Sequence, residues 1–430
     1  MRKVAITTLG CKTNQFESAA MRDSLAKEGF EVVPFNHSAD IYIINTCTVT
    51  ARTDAESRRL VRRAARLNPD SRIVVTGCYA QLSAPELADL PNVALVTGNS
   101  EKSGIVSLIR NLGKEPQILV SDIGAASKAE VLHLETFFEH TRAFLQIQNG
   151  CDAFCSYCIV PYARGRSRSV PFEEALEGVR RSVQAGFAEV VLTGIHLGAY
   201  GLDLRPVRGL LELLQRIDAE GVVARLRLGS VEPNEVTEDF IGFMATSRTI
   251  CPHIHLPLQS GAANVLSAMG RSYSPALIRD LVTSLASAVP DISVGLDLIA
   301  GFPGESEDDH AETCNLIDSL PIAYLHVFPY SSRPGTKAFA MPGHLHSSVI
   351  KRRAEELRRI GDTKSLEFAG RFVGRVLPVL IQGDGRSGLA RNYLTVRLRG
   401  DGLTAGVEMP VAISEGRPDG SCIGSLAVTR

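Results

Sequence analysis

The chain has 430 residues, 44% hydrophobic and 22% charged, with nine cysteines and a formal net charge of −1. These values suit a globular chain of two to four domains, and any nucleic-acid surface on it must be local rather than global. No apolar stretch approaches the ~20 residues of a membrane span, no secretory leader is visible, and nine cysteines are too few for a disulfide scaffold, so free thiols in a reducing cytoplasm are expected.

In chain order, residues 1–125 alternate apolar runs and helical patterns. Strands are expected at 4–9, 41–45, 73–76 and 94–96, with helices at about 14–28, 52–67 and 102–111. That rhythm predicts an open parallel α/β sheet. Residues 112–140 lose periodicity and read as a linker. From 141 to 370 the βα rhythm restarts. Strands are expected at 144–148, 190–193, 225–228, 253–258, 293–299 and 324–328, and helices at about 172–186, 207–220, 234–247, 274–289 and 306–320. Six strands predict a partial (β/α)6 barrel rather than a complete eight-fold one. Helix 347–369 leads out. Residues 371–430 carry short apolar runs at 373–381, 393–398, 407–413 and 423–428 between Gly-rich turns, the pattern of a small all-β barrel.

The most informative motif is Cys151-x3-Cys155-x2-Cys158, three thiols within eight residues. A zinc knuckle would bring a second Cys or His pair nearby, and none is present. Iron–sulfur clusters are normally held by four cysteines. Three propose a 4Fe–4S cluster with one iron left open, and an open metal position is where chemistry occurs. A second set is spread out: Cys11, Cys47 and Cys78 each lie just past an expected parallel strand, beside Gly10, Thr46 and Gly77. That strand edge is where ligands bind in open α/β sheets. Buried packing is the usual fate of cysteine, but core cysteines lie within strands more often than just past their ends. A second three-cysteine cluster site is therefore the better reading, and Cys251, Cys314 and Cys422 are assigned to packing.

Five expected barrel strands end in glycine-bearing or polar segments: 193–198, 229–233, 257–261, 297–305 and 326–330. Barrel chemistry sits at such ends, and glycines admit a ligand to the backbone. Together they imply a nucleotide-sized ligand over the barrel mouth. Arg164, Arg166 and Arg168 follow the cysteine loop, to meet an anion or to be solvated. Three basic clusters are candidates for RNA or DNA. Arg58, Arg62 and Arg66 share one helical face. Lys351, Arg352, Arg353, Arg358 and Arg359 form the second. The last sixty residues hold eight arginines against five acids, a local +3. Each alone reads as a solvated face.

The CxxxCxxC loop, Gly10-Cys11, Asn45-Thr46-Cys47, Thr76-Gly77-Cys78, the segment Arg164–Ser169 and Gly301-Phe302-Pro303-Gly304-Glu305 resemble the radical S-adenosylmethionine (radical SAM) methylthiotransferases over essentially the whole chain. The resemblance implies an N-terminal methylthiotransferase domain (1–112), a radical SAM domain (137–368) and an RNA-binding TRAM barrel (371–430). Leu9-Gly10-Cys11-Lys12-Thr13-Asn14-Gln15 is similar to the branch acting on threonylcarbamoyladenosine of tRNA. The implied activity is methylthiolation of carbon 2 of that base at tRNA position 37. It uses S-adenosylmethionine and two 4Fe–4S clusters. Cys151, Cys155 and Cys158 are implied to hold the reducing cluster, whose one-electron chemistry cleaves the sulfonium. Cys11, Cys47 and Cys78 are implied to hold the auxiliary cluster that carries the sulfur. Gly194, Ser230, Glu232, Gln259, Gly301 and Val327 are expected cofactor contacts by position. A flavodoxin- or ferredoxin-like electron donor is expected as a partner, and no membrane. The sister branches, acting on isopentenyladenosine in tRNA or on a ribosomal-protein aspartate, share both cysteine sets. A non-catalytic two-cluster electron-transfer protein is the remote alternative.

Overall fold

The computed structural model describes residues 1–130, 132, 141–383, 385–400 and 403–427. The first sheet is parallel throughout, with strands β1 (Lys3–Thr8), β2 (Glu31–Val33), β3 (Ile41–Thr46), β4 (Arg72–Gly77), β5 (Val93–Thr97) and β6 (Gln117–Leu119) in the order β2-β1-β3-β4-β5-β6. Every residue of β3 and β5 is buried, as continuous apolar runs covered on both faces must be. Alternate residues of β3 serve opposite cores. Tyr42 and Ile44 pack with Leu60 and Val61 of helix α2 (Ala51–Leu67), while Ile41 and Ile43 pack with Met21 and Leu25 of helix α1 (Lys12–Lys27). Thr50 caps α2 in a capping box with Thr53.

The second unit has strands β7 (Arg142–Gln146), β10 (Glu189–Thr193), β11 (Arg225–Leu228), β12 (His253–Gln259), β13 (Ser293–Ala300) and β14 (Tyr324–Pro329), with a short ribbon of β8 (Gln148–Asn149) and β9 (Arg168–Ser169) after β7. The six run parallel as β7-β10-β11 and β12-β13-β14, joined by bridges Leu226–Ile250 and Ser230–His255. Among the described residues β14 pairs only with β13, so the barrel is open there. α1 lies along β7, and Phe16 packs on Phe144 and Val191. One set of alternate strand residues, including Val190, Leu192, Leu226, Leu228, Leu296 and Leu298, joins the outer core with the helices. The other set carries the polar residues Arg142, Glu189, Arg225, Arg227, His253, His255, Asp297, Tyr324 and His326, with Phe144 and Val191 among them.

Helix Ser347–Gly370 leads to β15 (Val376–Gln382), β16 (Ser387–Ala390), β17 (Thr395–Arg399), β18 (Glu408–Gly416) and β19 (Cys422–Leu426), a closed barrel in the order β15-β16-β17-β19-β18. Cys422 lies in its core, and Cys251 is fully buried. No helix of the described residues is long and apolar enough to cross a membrane.

Three sequence expectations need correction. The stretch 112–140 is not wholly linker, because β6 extends the first sheet past 112. Short elements carry too little periodicity to read, so β2, β16 and helices Val160–Arg164 and Ala263–Met269 are additions to the expected set. Helix 234–247 begins at Glu238, where Thr237 caps it after a 3-10 turn at Pro233–Glu235. The expected domain start at 137 lies outside the described residues. So do Asp384, Asp401 and Arg430 of the C-terminal charge count, and Val428 of its last apolar run.

Candidate active site at the junction of the sheet and the barrel

Cys11, Cys47 and Cys78 converge. Gly10 has φ +102°, and a Cβ placed on it would stand 2.7 Å from Cys47 Cβ. Gly77 has φ +100°, and a Cβ there would meet the Thr46 carbonyl oxygen at 2.4 Å. Only glycine fits such close approaches of backbone. A buried amide network ties the three loops together. Asn14 Nδ2 donates to the carbonyls of Leu9 (2.7 Å) and Thr46 (3.0 Å). Asn45 Nδ2 donates to the Asn14 carbonyl (3.0 Å) and Ser18 Oγ (2.9 Å). Thr46 Oγ1 donates to the Thr76 carbonyl (2.6 Å).

The CxxxCxxC loop follows the β8–β9 ribbon's first strand. Gly150, at φ +74°, brings its α-carbon so close to the Arg166 carbonyl that a Cβ would sit 1.9 Å from that oxygen. Cys151 N–H donates to the Gly165 carbonyl (3.0 Å) and Cys158 N–H to the Cys155 carbonyl (2.9 Å). Arg271 Nη1 donates to Cys155 Sγ at 3.2 Å, and the same guanidinium pairs with Glu232. His196 lies with Nδ1 3.6 Å from Cys151 Sγ and Nε2 2.7 Å from Glu235 Oε1.

Arg164 joins the two sets. It is 1% exposed, and its guanidinium uses every donor. Nε donates to Cys78 Sγ (3.2 Å). Nη1 donates to Glu17 Oε1 (2.7 Å) and Asn149 Oδ1 (3.0 Å). Nη2 donates to Glu17 Oε2 (3.1 Å) and Asn14 Oδ1. Lys102 also pairs with Glu17. Burial alone would raise the Glu17 carboxyl, but Arg164 and then Lys102 outweigh it and hold it at about 2. Arg168 is buried too, and only Arg166 is exposed. Residues flanking both cysteine sets line one cavity of about 230 Å³: Val49 and Thr50 on one side, Tyr157 and Cys158 on the other, with Gln259 and Asp297 from the barrel.

Burial pushes the Cys47 thiol up to about 11 and the Cys158 thiol up to about 12. Iron binding would displace those protons, making it pH-dependent. Three thiols on tight glycine loops, with a guanidinium against one sulfur of each set, fit an anionic thiolate-held cluster that lacks one protein ligand.

Comparison with known proteins follows this division. Residues 3–98 match the family described as Uncharacterized protein family UPF0004, and residues 145–317 match the Radical SAM superfamily. A protein of Aquifex aeolicus named threonylcarbamoyladenosine tRNA methylthiotransferase MtaB is 38% identical, over 93% of this chain and 97% of its own. The chain belongs to the radical SAM methylthiotransferase family. The Bacillus subtilis protein of the same name is 40% identical over 88% of this chain and 85% of its own. A tRNA-2-methylthio-N(6)-dimethylallyladenosine synthase of Fusobacterium nucleatum is 33% identical over 96% and 98%. The solved radical S-adenosylmethionine methyltransferase TsrM of Kitasatospora setae superposes with TM-score 0.55 at 15% identity, over 77% of this chain and 76% of that one, a likeness of fold alone. As a radical SAM protein the methylthiotransferase uses S-adenosylmethionine and a 4Fe–4S cluster.

The expected cofactor contacts fall in different surroundings. Gln259, at φ +71°, lines the shared cavity. Glu232 holds Arg271 against Cys155. Gly194 packs on Gln148, whose Oε1 accepts from the N–H groups of Ile195 (2.9 Å) and His196 (2.8 Å). Ser230 bridges to His255 at the seam between the two half-sheets. Gly301 packs against Ile350 of the outer helix, where a Cβ would lie 2.6 Å from Cγ1. Val327 also packs in the outer layer, while its neighbour Phe328 lines the cavity. Sequence reasoning misses Arg271, Glu17, Lys102 and Asn99. Asn99 Nδ2 donates to the Ala163 carbonyl (2.7 Å) beside Cys78. None carries a local signal. Each matters through a partner distant in sequence.

The basic clusters also resolve. Arg62, Arg63 and Arg66 of α2 are not buried and form no ion pair among the described residues, whereas Arg58 pairs with Glu86. In the second cluster Arg353 is buried against Glu305 and Glu307. In the C-terminal barrel Arg375, Arg391, Arg397 and Arg399 pair with Asp291, Glu408, Asp419 and Glu415; the last three acids are already counted in the local +3, and only Asp291 comes from outside the segment.

Proposed function

We propose that this chain is a cytoplasmic tRNA methylthiotransferase that places a methylthio group on carbon 2 of N6-threonylcarbamoyladenosine at position 37. The observation that carries this reading is the Arg164 junction, where one buried guanidinium ties the Cys11, Cys47 and Cys78 loops to the CxxxCxxC loop, while residues flanking both cysteine sets line a common cavity. The names of the relatives in Aquifex and Bacillus support the choice of base.

Cys151, Cys155 and Cys158 hold the 4Fe–4S cluster that works with S-adenosylmethionine, and Cys11, Cys47 and Cys78 hold a second. An aromatic C–H bond is not acidic enough for a side-chain base at neutral pH, and the bound cofactors supply radical chemistry instead. The protein's part is to bind, orient and exclude water. Arg271 and Arg164 set positive charge against the Cys155 and Cys78 sulfurs that would hold the clusters, and Glu232 and Glu17 fix those guanidiniums. Gln148 holds the backbone of residues 195 and 196 at the barrel mouth. Gly194, Ser230, Glu232, Gln259, Gly301 and Val327 remain the proposed cofactor-facing positions, Gly301 and Val327 through the backbone. The three units act as the auxiliary-cluster domain, the radical SAM domain and a TRAM-type RNA-binding barrel. Arg62, Arg63 and Arg66 offer the free charge for the tRNA backbone, and a flavodoxin- or ferredoxin-like protein supplies electrons.

The test has two steps. Anaerobic protein with reductant and S-adenosylmethionine is expected to form 5′-deoxyadenosine, and none would sink the radical reading. Mass spectrometry of tRNA nucleosides, with and without the gene, is expected to lose the methylthio group from threonylcarbamoyladenosine. Loss from isopentenyladenosine would move the chain to the sister branch.

A further inference from the structure

The barrel interior holds more positive charge than its own carboxylates balance. Glu189 of β10 is fully buried between Arg227 (Nε to Oε1, 2.8 Å) and Arg225 (Nε to Oε2, 2.9 Å), with Arg142 at 3.7 Å. The C-terminal barrel adds Glu408, gripped by Arg225 and by Arg391 at 2.8 Å. Lys12 joins this group from α1. Its ammonium stands 5.9 Å over the Tyr393 ring, and its electrostatic neighbours are Tyr393, Arg142, Arg227 and Glu189. Among the described residues Lys12 forms no hydrogen bond or ion pair. Lys12, Arg142, Arg225, Arg227 and Arg391 are five cations against Glu189 and Glu408, which leaves +3.

The remaining carboxylate on this face, Asp297, is engaged by His255 at 2.8 Å and His326 at 3.2 Å rather than by this group of cations. Tyr393 stacks on His253 at 4.2 Å, and His253 Nε2 meets Tyr324 Oη at 2.8 Å. His253 is 2% exposed, and its Nδ1 has no partner. Uncompensated buried charge is costly, so a cluster of this kind favours an anionic ligand.

The chemistry of the base says which anion. In adenine, C2 and the N6 substituent share one edge, and the ribose leaves from the opposite one. A base entering with C2 toward Cys11 therefore carries its N6 substituent inward, past Cys11, away from the phosphates. Lys12 is the residue next to Cys11. We propose that Lys12, backed by Arg142 and Arg227, binds the carboxylate of the threonylcarbamoyl group and so selects this modified adenosine over one with an uncharged N6 substituent. This rests on the tRNA reading above.

The experiment measures binding of anticodon stem-loops to the anaerobic holoenzyme. The stem-loops carry at position 37 threonylcarbamoyladenosine as the free acid or as its methyl ester. A charge-assisted hydrogen bond corresponds to roughly tenfold to a hundredfold in affinity. Wild type is expected to prefer the acid by about tenfold or more. Lys12→Gln, or Lys12→Met if that variant is unstable, is expected to bring the acid-to-ester ratio near one by weakening the acid alone. Lys12→Arg is expected to keep most of the preference. A wild-type ratio near one, or equal weakening of acid and ester by the Lys12 variants, would overturn the proposal. Failure of the underlying reading looks different: the holoenzyme would methylthiolate an isopentenyl-bearing stem-loop and leave the threonylcarbamoyl one unchanged.

Discussion

Replacing Arg164 by Met should loosen the junction between sheet and barrel. The side chain is 1% exposed, and Met fills much of its volume without donors. The substitution leaves Asn14 Oδ1 without its donor and Glu17 with Lys102 alone. Breaking a buried pair costs about 3–5 kcal/mol. Lys102 retains part of the compensation for Glu17, and the stranded Asn14 oxygen adds about 1–3 kcal/mol. A local loss on the order of 4 kcal/mol follows, or roughly a thousandfold in the opening equilibrium. Native-state hydrogen exchange reads this region by region. Amides of α1 and of residues 150–165 should lose protection by about a hundredfold to a thousandfold. Those of β15 and β18 should keep theirs. Arg164→Lys should fall between, since it keeps the charge but loses the planar fork. Protection in α1 unchanged within about threefold would refute the claim that Arg164 holds the two units together.

Other expectations follow from the same network of charges and glycines. Burial would raise the Glu189 carboxyl, but Arg227, Arg225 and Arg142 outweigh it and hold it at about 2, below the ordinary 4.5. A depressed carboxyl stabilises the fold above its unfolded value and loses that contribution as pH falls from about 4.5 toward 2, here roughly 3 kcal/mol. Glu189→Gln should therefore be less stable at pH 7 and show a flatter decline of urea midpoint between pH 5 and 3, and equal pH slopes would contradict it. Gly150→Ala pushes a Cβ to 1.9 Å from a backbone oxygen at a positive φ. That strain, of order 1–3 kcal/mol or more, should lower the iron held per chain after reconstitution. Replacing Arg62, Arg63 and Arg66 together by Gln should weaken tRNA binding and flatten its dependence on log salt by about 0.9 for each phosphate no longer neutralised. An unchanged slope would remove α2 from the RNA surface.

Much of the architecture is legible in the sequence because it depends on short-range chemistry. Strands such as Ile41–Thr46 are buried on both faces and so read as apolar runs. The six cysteines stand out because Cys11, Cys78 and Cys151 follow glycines that the tight loops require. Arg164 is visible as a candidate, but its role is not, since its partner Glu17 lies 147 positions away. The pairing of the C-terminal barrel's charges is hidden in the sequence for a related reason. Its arginines are visible there, but their pairing with Asp291, Glu408, Asp419 and Glu415 is not.

The sequence by itself determined which atoms are available: two sets of three thiols, a parallel sheet, a six-stranded barrel and a small terminal barrel. Local spacing and burial patterns are enough for that, because a strand or a glycine loop is decided by its own few residues. Only the tertiary structure decided what those atoms face. It brought Cys78 to Arg164, Cys155 to Arg271, and Lys12 over Tyr393 inside the barrel. Electrostatic pairing acts through space at a few ångströms, and no pattern along the chain encodes which distant charge will arrive there.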